Sequence, residues 1–192
     1  MNNQKQVIHK FPLSIRLLHW TMAFLIFGLI ALGFYMASLP LEDPNKMELY
    51  KWHRAFGVLV LILTIARLFI KRNKKDRLPE LPKTLPKYEK ILAKSVQYFI
   101  YLFLVSIVIT GYVASSAVPE FPGIPPLNSI WFFFTELPLA PVEKNYDTTV
   151  FVIGIHKILA YVFCITLGLH ILGALKHRFF DKPEHDVIKT MV

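Results

Sequence analysis

The chain has 192 residues, 54% of them hydrophobic and 18% charged, with a formal net charge of +9 and a mean hydropathy of +0.45. That is too apolar for an ordinary water-soluble domain, so a membrane protein is favoured before any motif is considered. Cys164 is the only cysteine and stands in an apolar stretch, which excludes an intrachain disulfide framework or thiolate metal cluster.

Four apolar segments follow one another. The first is too long for a signal-peptide core and has no small-residue cleavage site after it, so it reads as a retained span. The second is shorter, with Trp52 and His53 before it and Lys71 and Arg72 after it as interfacial flanks. The 71–94 connection contains RNKKDRLPELPKTLPKYEK, basic and proline-rich without apolar periodicity, and reads as a solvated loop against lipid headgroups. After the third segment the 119–148 connection carries NSIWFFFTELPLAP, which is expected to form a short helix or turn lying in the outer interface, anchored in lipid through Trp131 and its phenylalanines. The fourth segment is the longest. A helix crosses the hydrocarbon core with about 20 apolar residues, which places spans at about 15–37, 53–72, 93–118 and 149–176. A soluble bundle would show a polar face along them, and they are apolar almost all round. The expected architecture is one domain over 1–192, an all-α membrane protein with a four-transmembrane-helix bundle.

Sixteen of the 22 Lys and Arg residues fall in the amino-terminal arm, the 71–94 connection and the tail after 175, whereas the other two connections hold only Lys46, Lys51 and Lys144. This bias predicts that both termini are cytoplasmic. The positive charge then meets anionic lipid, and no nucleic-acid partner is needed to explain it.

Ionisable residues inside spans are costly and usually functional, and His19, His53, His156 and His170 lie in or at the ends of spans. His156 and His170 are separated by about four helical turns, which brings them within about 40° of one helix face and about 21 Å apart along the axis. His53, at the outer start of the second span, matches the depth of His156; His19, near the cytoplasmic start of the first, matches His170. Two imidazole pairs between antiparallel helices suit two haem irons, each with both axial positions filled. The absence of C-x-x-C-H makes such haems b-type, without thioether links. A closed zinc site needs four ligands at one depth, which this pattern does not offer.

Arg67 follows His53 by the interval that separates His156 from His170. It therefore shares the face of His53 and falls at the inner haem level, where a propionate would supply its anionic partner. Gly33 bears the same relation to His19 at the outer level, where the missing side chain leaves room for a ring; Gly57, Gly154 and Gly168 sit close to ligand candidates and serve either that purpose or close helix approach. Arg54, Lys51 and Lys157 crowd the outer pair and Arg16 the inner one, as propionate partners or simply as basic span ends. His177 is either a propionate or proton-relay partner or a solvated interfacial histidine. His9 and His185 are assigned to solvent.

The runs RLLHW at 16–20, WHRAFGVLVLILTIARL at 52–68, and GIHKILAY with LGLHILGALKHRFFDK at 154–182 resemble the bacterial cytochrome b561 proteins, over all four spans. A wider group with a similar opening includes the cytochrome b subunits of hydrogenases and formate dehydrogenases. The resemblance implies a multi-pass protein of the bacterial inner membrane with two haems b on His19, His53, His156 and His170, exchanging electrons with the quinone pool. It further implies either a superoxide:ubiquinone oxidoreductase or a membrane subunit passing electrons between quinone and a partner dehydrogenase or periplasmic redox protein. A membrane scaffold without redox chemistry is the third class, and the paired histidines argue against it.

Overall fold

The computed structural model describes residues 10–40, 42–79, 82, 84–120, 122 and 126–192. Four long helices dominate: α1 (Leu13–Ser38), α2 (Lys46–Asn73), α3 (Lys87–Ser116) and α4 (Tyr146–Phe179). All 13 prolines lie outside them, as the missing amide and the ring clash of proline require. Each is long and apolar enough to cross a membrane. Most of their large apolar side chains face outward, Phe24 and Phe151 among them, which is the inside-out pattern of a bundle whose solvent is lipid. Span hydroxyls turn back on their own helix: Thr64, fully buried, donates to the Val60 carbonyl at 2.7 Å, so its hydroxyl is not left facing hydrocarbon.

α3 packs along α4 and α1 along α2, and α2–α3 contacts join the two pairs. Both described chain ends and the α2–α3 connection lie at one end of the bundle, here the tail end; the α1–α2 and α3–α4 connections lie at the other, the hairpin end. Lys46 closes the α1–α2 turn by donating to the Leu39 carbonyl at 2.5 Å, satisfying a carbonyl that the end of α1 leaves free. α2 runs from Lys46 to Asn73, well beyond its apolar centre, with Glu48 in its first turn and Lys71 and Arg72 in its last, the arrangement the helix dipole favours.

The NSIWFFFTELPLAP stretch forms neither a short helix nor an isolated turn, and the all-α expectation needs one amendment. Strands β1 (Ser129–Phe132) and β2 (Thr135–Pro138) form an antiparallel hairpin with Phe132 opposite Thr135. Such a two-residue loop needs a positive φ, and Phe133 supplies it at 51°. Its ring, packed 5.4 Å from Phe56 and 5.5 Å from Trp131, holds a conformation that a phenylalanine rarely adopts unaided. Tyr112 donates to the Pro138 carbonyl, and the Ala140 amide to Ser116 Oγ at 3.0 Å; these bonds fasten the hairpin to α3, and Trp131 against Trp52 fastens it to α2.

Beyond α4 the chain turns through Pro183–His185 into a short helix, α5 (Val187–Met191). Asp186 caps α5 through the Ile188 amide and holds Arg178. The Trp20 indole donates to the Met191 carbonyl at 2.9 Å, and the Phe11 amide to that of Thr190. The tail therefore folds back onto α1.

Candidate functional site

The bundle interior is layered at seven-residue intervals. Seven residues advance a helix about 10.5 Å and bring it within about 20° of two full turns. At mid-depth Ile26 of α1, Val60 of α2, Leu104 of α3 and Phe163 of α4 meet with Met22 in one buried apolar cluster. Seven residues towards the hairpin end from those four stand Gly33, His53, Gly111 and His156; seven residues towards the tail end on α1, α2 and α4 stand His19, Arg67 and His170.

The structure brings the four histidines together as two pairs. The rings of His53 and His156 lie 6.4 Å apart between centroids and those of His19 and His170 6.3 Å. α4 packs closely along α3 but not along α1 or α2, so these pairs bridge the wider spacings of the bundle. Two imidazole nitrogens each about 2.0 Å from one metal, with ring centres about 1.1 Å behind them, would set centroids about 6.2 Å apart. The centroid spacing of each pair matches that value.

At the hairpin end the surroundings are specific. His156 Nδ1 donates to the Ile107 carbonyl at 2.9 Å, with Thr110 Oγ1 3.3 Å away. That bond fixes the tautomer and leaves Nε2 free to ligate, the usual second contact of a metal-bound imidazole. A Cβ at Gly111 would come 3.0 Å from His156 Cε1, and one at Gly33 3.3 Å from His53 Cε1, so both glycines allow a ring to lie against backbone. Sequence reasoning singled out Gly33 to make room for the haem ring, whereas the side chain set against it is the His53 imidazole, and it missed Gly111 and Ile107; the signal for Gly111 was its place seven residues beyond Leu104, visible only once α3 had been aligned with the other three helices. A Cβ at Gly57, Gly154 or Gly168 would meet nothing within 4 Å, and none of the three makes room for a protein side chain. His53 Nδ1 is buried without a hydrogen-bond partner among the described residues.

The basic candidates separate. Arg67 is only 7% exposed; its Nη1 donates to the Ile15 carbonyl at 2.7 Å and its Nε to Tyr101 Oη at 3.2 Å. It is close enough to act electrostatically on both His19 and His170. Arg16 has a buried Nε with no partner among the described residues, a donor suited to an anionic group. Arg54, partly buried, acts on the neighbouring His53. Lys51 is engaged elsewhere, by Glu48 at 3.2 Å and by the face of Trp131 at 4.6 Å. Lys157 is exposed, one residue beyond His156 on α4.

His185 is not solvated as its sequence context suggested. It is 8% exposed, and its Nε2 lies 2.8 Å from Thr84 Oγ1, because the turn at Pro183–His185 folds back over the start of α3. His9 lies outside the described residues. His177 pairs its Nδ1 with Asp181 at 2.6 Å, and Lys176 reaches Glu89 at 2.7 Å and Asp181 at 3.1 Å. Glu89, His177 and Asp181 have a donor set that could hold a metal ion, but the Lys176 ammonium already bridges the two carboxylates, so the cluster works as an ion-pair clamp between α3 and α4. The bond from His177, followed by that from Lys176, holds the Asp181 carboxyl below its ordinary range.

Four membrane-length helices with imidazole pairs at two depths define a class, the membrane cytochromes b. The sequence profile of the prokaryotic cytochrome b561 family matches residues 10–192, and the chain belongs to that family. It is also similar to cytochrome b561 homolog 2 of Escherichia coli (strain K12), with 27% identity over 177 residues that cover 91% of this chain and 86% of the relative. The chain is thus a multi-pass membrane protein, and its family implies a b-type haem and electron transfer within the membrane.

Proposed function

We propose that the chain holds two b-type haems, one between His53 and His156 and one between His19 and His170, and that it carries electrons across the cell membrane in exchange with the quinone pool. The observation that carries this reading is the near-equal spacing of the two ring pairs, 6.4 and 6.3 Å, at the two levels that His156 and His170 mark on α4. When bound, haem would supply reversible one-electron chemistry, with His53 and His156, and His19 and His170, as the residues that would hold it. The protein's part is to orient the imidazoles, through Ile107 at His156, and to exclude water with the Ile26–Val60–Leu104–Phe163 layer. Arg16 at the tail end, and Arg54 and Lys157 at the hairpin end, are the propionate candidates, and the unpaired buried Nε of Arg16 makes it the best supported; Arg67, already bonded to the Ile15 carbonyl and Tyr101, is left as a fixed charge beside the tail-end pair. The basic flanks make the tail end cytoplasmic, so the His19–His170 pair is the inner level and the His53–His156 pair the outer one.

Two donors suit the hairpin end. Superoxide would make the chain a superoxide:ubiquinone oxidoreductase: two superoxide anions each give up one electron and leave as dioxygen, and one quinone takes two electrons and two protons. Arg54 and Lys157 are the cations that an approaching anion would meet there. A partner dehydrogenase or periplasmic redox protein would instead make the chain a membrane electron-transfer subunit. Purified, haem-loaded protein given superoxide and a soluble ubiquinone analogue separates the two. Quinone reduction without any partner supports the first; an inert chain that co-purifies with a dehydrogenase supports the second. A well-folded, haem-supplied preparation without protohaem overturns both.

A further inference from the structure

The two histidine levels differ in one respect that ligation does not require. On α2 the residue that follows His53 by the His156–His170 interval is Arg67, whereas on α1 the residue that follows His19 by that same interval is Gly33. One level therefore receives a guanidinium and the other a hydrogen atom. Arg67 is 7% exposed and lies within a span, where screening by water and salt is weak. Its hydrogen bonds run to neutral groups on two different helices, the Ile15 carbonyl of α1 and Tyr101 Oη of α3. No carboxylate among the described residues forms an ion pair with it. Lys71 adds to the positive field at that end, with its ammonium over the Tyr101 ring at 5.8 Å. The hairpin-end pair has Arg54 beside it, but only partly buried and nearer the membrane edge. The strongest direct contact there is the opposite in sign: the Ile107 carbonyl draws on the His156 proton at 2.9 Å, which makes that imidazole a stronger electron donor to a metal.

We infer that Arg67, a buried guanidinium pinned between α1 and α3 with no carboxylate partner among the described residues, makes the His19–His170 haem the higher-potential of the two and so sets electron flow from the hairpin end to the tail end. The inference rests on the dihaem reading proposed above. Uptake of one electron removes one positive charge from the ferric centre, so a fixed positive charge nearby favours the reduced form and raises the potential. The geometry holds that charge in place: Ile15 is one turn before His19, so the bond that fixes Arg67 also fixes its distance from the ligand.

The test is a potentiometric titration followed by optical spectroscopy, with haem content measured on every sample. In a His156→Ala background only the tail-end haem should remain, which isolates its midpoint. Adding Arg67→Gln should shift that midpoint to lower potential. Adding Arg67→Lys, which keeps the charge but not the paired hydrogen bonds, should leave it close to the parent value. In the chain with all four histidines, Arg67→Gln should move one of the two midpoints and bring them together. Retained haem with no shift in Arg67→Gln, or an equal fall in Arg67→Lys, overturns the inference while leaving the dihaem reading intact. Loss of the tail-end haem in Arg67→Gln also overturns it, because Arg67 would then hold the group rather than tune it. Absence of haem from the unaltered chain overturns the underlying reading instead.

Discussion

The hairpin-end and tail-end levels of the bundle each hold one pair of imidazoles, in different settings. At the hairpin end, His53 and His156 are packed against backbone through Gly33 and Gly111, and a main-chain carbonyl orients one ring. At the tail end, His19 and His170 share their level with the buried Arg67, and the ion pairs of Lys176 and His177 close the bundle one layer further out. The difference teaches that one level is defined by shape and the other by charge. Steric changes should therefore damage the first, and changes of charge or pH the second.

The largest effect tests whether the levels are independent at all. His156→Ala should remove the hairpin-end haem and His170→Ala the tail-end one, each halving the haem found by pyridine haemochrome assay. The mid-depth layer keeps the two about 21 Å apart along α4, so neither loss should spread to the other site. A single substitution that abolished all haem in a folded chain would show that the layers do not act separately, and loss of neither haem would reject the ligand pairs.

A graded steric series follows. A Cβ 3.0 Å from His156 Cε1 is closer than real side chains tolerate without movement, and here the neighbour is a stiff ring held by Ile107. Gly111→Ala should displace His156 and lower occupancy of the hairpin-end haem severalfold. Gly33→Ala, at 3.3 Å from His53, should have a smaller effect, and Gly28→Ala, with nothing within 4 Å, almost none. Overpacking of this kind costs about 1–3 kcal/mol, so thermal stability should fall in the same order. Equal effects from all three would mean that helix propensity, rather than the imidazole contact, is responsible.

How far these features could be read in advance follows from the distance over which each signal acts. The spans were legible because apolar runs of membrane length are local, and the paired histidines because spacing on one helix and antiparallel direction fix depth. The hairpin was not, since FFFTELP lacks the glycine or asparagine that normally marks a two-residue loop; tertiary packing of Phe133 on Phe56 and Trp131 supplies what the local sequence lacks. Gly111 escaped because its partner, His156, stands on the next helix, and nothing within α3 marks the position. His185 was misassigned for the same reason. Its neighbours Lys182, Glu184 and Asp186 look solvated, yet the chain turns back and buries it against Thr84.

The smallest predicted effect concerns the clamps that close the two ends. At the hairpin end, α3 and α4 are clamped by neutral groups: Thr149 Oγ1 donates to the Ala117 carbonyl at 2.7 Å, and Asn145 caps α4 by accepting from the Thr148 amide. The tail end is closed by carboxylates. Burial alone would raise the Asp186 carboxyl, but the bond from Arg178 and the amide of Lys189 outweigh it and hold it below its ordinary 3.8, while His177 and Lys176 do the same for Asp181. A carboxyl with a lowered pKa in the docked state favours docking fully above its ordinary value and loses that contribution as pH falls through the lowered one. The tail should therefore loosen only below about pH 3.8, while the Thr149–Ala117 and Asn145–Thr148 clamp between α3 and α4, with nothing to protonate, stays closed. A spin label at position 192, placed by Val192→Cys after Cys164→Ser, should gain mobility in that acid range, and at pH 7 in an Asp186→Asn chain. A label at exposed position 143 should change in neither case. Acid mobility at both positions would mean general unfolding, and mobility at neither in Asp186→Asn would mean that the Trp20–Met191 and Phe11–Thr190 bonds hold the tail without help from charge.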